Sequence, residues 1–194
     1  MGRTARTWMI GLATVVVVGL AVWQIWAAAL AKLPAAGAVL TQAIDPWYLI
    51  QVDEAGYAVE MPTKPIDTMT DLAQGVRAYG WTLNREEYRM GVFYADLPGA
   101  SDPQKAFAAM AEGFSHAQGV KRVLAQRPIT LDGYPGLELE YEFNAAQTGV
   151  LRMYVKNDRF HYLQFLSDDW EGTRGMRERF FNSFRFLPPE VKKY

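Results

Sequence analysis

Hydrophobic and polar positions divide the chain into two unlike parts. Residues 8–31 read WMIGLATVVVVGLAVWQIWAAALA, uncharged and apolar but for Thr14 and Gln24. Beyond them apolar positions come in short alternating runs, broken by Gly, Pro, Asn and Asp, as strands and turns require. Residues 47–52 and 57–61 read as strands joined by Glu54-Ala55-Gly56, with Pro62 and Pro65 stopping the second. Residues 76–83 alternate with Tyr79, Trp81 and Leu83 on one face. After Asn84-Arg85-Glu86, Tyr88, Met90, Val92 and Tyr94 share another. In the later half, Leu137, Leu139, Tyr141 and Phe143 alternate with Glu138, Glu140, Glu142 and Asn144, so one face is buried and one wet. This strand follows another at 122–131 through a turn placed at Asp132-Gly133-Tyr134-Pro135-Gly136. Strands at 150–156 and 159–166 form a hairpin through Asn157-Asp158.

Helical spacing occurs twice. Asp102 and Pro103 open the first helix, Phe107, Met110 and Phe114 line one side, and Gly119 is positioned to cap its end. Asp168-Asp169 open the second, which spans about residues 170–182 with Met176, Phe180 and Phe184 in register. Hairpins with segregated helices predict an α+β domain, an antiparallel β-sheet with two packed helices.

The uninterrupted run makes a helix of about 36 Å, enough for a hydrocarbon core of about 30 Å. Arg3 and Arg6 precede it and Lys32 follows, so the positive-inside rule puts the N-terminus in the cytoplasm and the rest outside. Trp8 marks one interface, and Trp23 and Trp26 the other. The predicted organisation is a cytoplasmic stretch (1–7), a transmembrane helix (8–31), a linker (32–46) and an extracytoplasmic domain (47–194), at a cell inner membrane with the lipid bilayer as a partner. Ala36-Gly37-Ala38 resembles a signal-peptidase site, which is the competing reading, although the apolar run is long for a signal peptide.

Half the residues are hydrophobic and 13% aromatic, which suffices for a core. The net charge of −1 supplies no field for nucleic acid, so that class of partner is excluded. The absence of cysteine excludes disulfides, thiolate metal sites and thiol nucleophiles.

Three carboxylates in the Glu138, Glu140, Glu142 row suggest a cation site. Matching apolar faces across the next hairpin instead sets Glu142 against Arg152, Glu140 against Tyr154 and Glu138 against Lys156, a solvated face of cross-strand pairs. The same register brings Glu140, Tyr154 and His161 into one outer row, the nearest approach to a polar constellation. Arg174, Arg177, Arg179 and Arg185 form a basic side of the last helix. Glu140, Tyr154, His161, Arg174 and Arg177 are the candidate partner-facing residues. No nucleophile elbow, P-loop or dinucleotide fingerprint appears, and no catalytic, cofactor or metal residue is assigned.

Several stretches carry a resemblance: Gly56-Tyr57-Ala58-Val59-Glu60-Met61-Pro62, Leu131-Asp132-Gly133-Tyr134-Pro135-Gly136, Arg152-Met153-Tyr154, Arg159-Phe160-His161-Tyr162 and Asn182-Ser183-Phe184-Arg185-Phe186. With the helix between the first two, the pattern resembles the Mog1/PsbP-like group, including its DcrB-like lipoproteins. The resemblance implies an α/β sandwich and a non-enzymatic binding role; the missing lipobox cysteine departs from the lipoproteins. The expected function is a membrane-anchored accessory or scaffold subunit docking on an integral membrane protein complex, photosynthetic or respiratory by fold analogy. The alternative is an envelope module holding a small apolar molecule between sheet and helices.

Overall fold

The computed structural model describes residues 47–71, 77–96, 102–144 and 146–188. The expected transmembrane helix 8–31, its flanks 1–7 and 32–46, and the anchors Arg3, Arg6, Trp8, Trp23 and Trp26 lie outside the described residues. Among the described residues no helix is long and apolar enough to cross a membrane.

The described chain runs β1 (Tyr48–Val52), β2 (Tyr57–Met61), β3 (Ile66–Asp71), β4 (Arg77–Asn84), β5 (Tyr88–Asp96), α1 (Pro103–Ser115), β6 (Val120–Leu131), β7 (Tyr134–Phe143), β8 (Gln147–Lys156), β9 (Arg159–Ser167), α2 (Arg174–Ser183) and β10 (Arg185–Phe186). Seven strands form one antiparallel sheet in the order β3-β4-β5-β9-β8-β7-β6, and β1-β2-β10 form a second. The α+β class agrees with the sequence reading; the single antiparallel sheet does not, since the strands divide between two. The β1–β2 hairpin leaves the large sheet and takes β10 as its third strand, Arg185 opposite Ala58 and Phe186 opposite Tyr57.

Residue alternation distributes the core over both faces of the large sheet. On one face α1 lays Phe107, Met110 and Phe114 against Leu137, Leu139, Tyr141 and Phe143, the predicted buried side of β7. On the other, Met90, Val92, Leu163 and Phe165 pack against Tyr57, Val59 and Met61 of the small sheet and Phe180 and Phe181 of α2. Central strand β9 is therefore buried on both faces, Phe160 and Tyr162 toward α1, Leu163 and Phe165 toward the small sheet.

Local chemistry sets the element ends. The Asp102 carboxylate accepts from the backbone N–H of Gln104 (3.1 Å) and Lys105 (3.3 Å), the predicted N-cap. The helix closes at His116, so Gly119 does not cap it. Gly119, at φ +89°, instead bends the chain into β6, where a Cβ would strike the Phe143 ring. The second helix begins at Arg174, later than expected, because Asp169 first forms a turn that receives Gly172 N–H on its carboxylate and Thr173 N–H on its carbonyl.

Candidate functional site

Strand register builds a charged cleft between the large sheet and α2. The two-residue turn Asp132-Gly133 sets Arg127 opposite Glu138, and the β7–β8 hairpin sets Glu138 opposite Arg152. Glu138 thus lies between two guanidiniums. Its Oε1 accepts from Arg127 Nε (3.0 Å) and Nη2, and its Oε2 from Arg152 Nε (2.6 Å). The Glu138 side chain is only 7% exposed. Burial pushes its pKa up, but the hydrogen bonds from Arg152 and Arg127 outweigh this and hold the carboxyl below its usual range. Arg152 is further fixed over the Phe181 ring, 4.6 Å from its centroid.

The opposite wall comes from α2 and the turn before it. Arg177 lies over the Trp170 ring at 3.5 Å and donates from Nη1 to the Trp170 carbonyl (2.7 Å). Burial, ahead of the attraction of Glu171, lowers the pKa of this guanidinium. Glu140, Glu178 and Asn182 complete a cleft of about 260 Å³. Glu140 comes within 3.9 Å of Arg127 and pairs across the strands with Val150. Such a lining of charged side chains suits polar contacts and offers little to an apolar molecule.

Two of the five candidate partner-facing residues, Glu140 and Arg177, line this cleft. Arg174 is exposed and bound to Glu171 at 2.6 Å. Tyr154 and His161 do pair across β8 and β9 as expected, but their face is no outer one: the small sheet and the C-terminal residues cover it. Tyr154 is buried, and His161 is fully so, in a cage of Tyr57 (5.5 Å), Phe186 (5.1 Å) and Phe184 (6.2 Å). Neither ring nitrogen of His161 makes a hydrogen bond among the described residues. Burial, then the charges of Arg159 and Lys156, lower its pKa to about 3. These two residues therefore face the core and present nothing to a partner. The row Glu140–Tyr154–His161 is not formed, because the β7–β8 register lies four residues from the expected one: Glu138, not Glu142, meets Arg152, and Tyr154 meets Gly136.

Sequence reasoning missed Arg127, Trp170 and Glu178, and the burial of Glu138. A signal for the first existed. Reading Asp132-Gly133 as a two-residue hairpin turn places Arg127 against Glu138. Among the described residues no three His, Cys, Asp or Glu side chains gather as metal ligands would.

The two-sheet, two-helix arrangement is that of the PsbP-like α+β fold. The chain is similar to cyanobacterial PsbP (CyanoP) from Synechocystis sp. PCC 6803, with a TM-score of 0.56 and 15% identity over 79% of this chain and all of that one. A protein of unknown function from Pseudomonas aeruginosa, PA94, aligns at TM-score 0.45 and 10% identity over 75% of this chain and 99% of its own. No family model and no curated protein matches the chain.

Proposed function

We propose that this protein is a non-catalytic accessory subunit, anchored by residues 8–31 in the cell inner membrane, whose extracytoplasmic domain docks on a larger integral membrane complex. The observation that carries the reading is the cleft, where guanidiniums are stacked on aromatic rings and held before any partner arrives. Arg and Trp fixed in one orientation lose little freedom on binding and are the residues that most often anchor protein interfaces. An uncharged 24-residue run in front of such a domain supplies the anchor. Fold analogy offers photosynthetic or respiratory assemblies as host classes.

Purification of the tagged full chain in a gentle detergent, with mass spectrometry of what travels with it, tests the reading. Stoichiometric integral membrane proteins, with an intact N-terminus, are expected. A detergent-solubilised monomer without stable partners, or a chain cut near Ala38, would overturn it.

A further inference from the structure

The cleft holds three guanidiniums and three carboxylates, but they do not satisfy one another. Glu138 takes both Arg127 and Arg152, and Glu140 lies against Arg127. Arg177 and Glu178 remain, adjacent in sequence and both lining the cleft, and neither has an ion-pair partner among the described residues. Arg177 is half-buried, with its face on Trp170 and one N–H committed to a carbonyl. A guanidinium carries five N–H donors in one plane, so stacking the face leaves donors at its edge for a planar, two-oxygen acceptor.

We infer that Arg177, braced on Trp170, receives the carboxylate of an acidic side chain from a segment of a partner protein, while Glu178 takes a basic side chain adjacent to it. The inference rests on the docking reading above and names its chemistry. Three observations select this occupant. The cation and the anion that lack an ion pair among the described residues stand side by side, so the complement is dipolar. An array of anionic lipid headgroups would press like charges against Glu140 and Glu178. At about 260 Å³ the cleft is smaller than the usual enclosed small-molecule site of roughly 300–1,000 Å³. A side chain with its flanking backbone fits that space.

The test uses the full chain in detergent, titrated with three capped hexapeptides (alternating Lys-Glu, all-Glu and all-Lys) and followed through the Trp170 indole resonance. Alternating peptide should bind saturably and shift that resonance. Both homopolymers should bind more weakly, and Arg177→Gln should weaken the alternating peptide at least tenfold. Glu178→Gln reads the other half of the pair and replaces Arg177→Gln if that variant fails to fold. Equal binding of all three peptides, no saturable binding, or binding unchanged by both substitutions would overturn the assignment. Arg177-dependent binding to phosphatidylglycerol vesicles, without peptide binding, would overturn it in favour of a lipid site. Membrane proteins that copurify equally with Arg177→Gln would leave the accessory role standing and remove this cleft from it.

Discussion

At the scale of the residue, the buried polar groups decide how the domain responds to its surroundings. His161 is kept neutral in its aromatic cage, with a pKa of about 3 against an ordinary value near 6.5. Unfolding restores the ordinary value, so between those limits the unfolded chain binds one more proton than the folded one. Stability should therefore fall as pH drops from about 6.5 toward 3, by about 1.4 kcal/mol per pH unit from this group, and be independent of it above that window. Urea melts at pH 7 and pH 5 on the wild type and His161→Leu check the claim. The variant should show the shallower pH dependence, and equal slopes would refute it. Glu138 carries a charge that two arginines depend on. Glu138→Gln should cost about 1–3 kcal/mol, because it weakens the ionic hydrogen bonds from Arg127 and Arg152 around a buried group. Arg127→Ala should cost less than that, since the side chain is 58% exposed and its removal lets water reach the Glu138 oxygen it leaves, while Arg152 still holds the other. Thermal melts of the two variants separate these magnitudes. Gly149 lies directly opposite Tyr141, and a Cβ there would collide with the ring. Gly149→Val should destabilise by about 1–3 kcal/mol through overpacking, read by the same melts.

At the scale of the element, α1 depends on one tertiary stripe more than on its own helix propensity. Phe114 meets Tyr141 edge-on at 4.7 Å, and Phe114→Ala should cost about 3–5 kcal/mol in a denaturant titration. Asp102→Ala should fray the first turn, visible as faster amide exchange at Gln104 and Lys105. Elements of this kind were the legible ones. Their caps and periodicity are local, and Asp102, the Phe107–Met110–Phe114 stripe and the Asn157-Asp158 turn all stand where the sequence puts them. Registers were less legible. Matching apolar faces fixes only whether a pairing is odd or even, and a slip of four residues preserves it, so the turn after Phe143 had to decide. Strand β3 escaped notice because Pro62 and Pro65 read as stops, whereas Pro65 directly precedes a strand that, among the described residues, lies at the edge of its sheet. The cleft escaped for the same reason as the registers: Arg127, Glu138, Arg152 and Arg177 come from four elements, and only the Arg127–Glu138 pair was encoded locally, by the Asp132-Gly133 turn.

At the scale of the whole molecule, the fold is closed by pairings between distant parts of the chain. Strand β9 is inserted beside β5, and β10 completes the sheet that β1 and β2 begin. Removing the residues after Asn182 should therefore unfold more than two strand residues. Phe184 and Phe186 leave the core with them, Tyr57 loses its neighbour at 5.5 Å, and the truncated chain should lack a cooperative melt. The Glu60 N–H and the Ser183 hydroxyl that accepts from it at 2.9 Å are 123 positions apart. Ribosomes add about 5–20 residues per second, so roughly 6–25 seconds of synthesis separate the first of these groups from the second. For all that time the β2 edge that β10 takes stays unpaired, and the hairpin's apolar face has only the first strands of the large sheet to cover it. A nascent chain in that condition is exposed to aggregation and proteolysis, and cellular yield should depend on whatever shelters the first half of the domain until the last strand emerges.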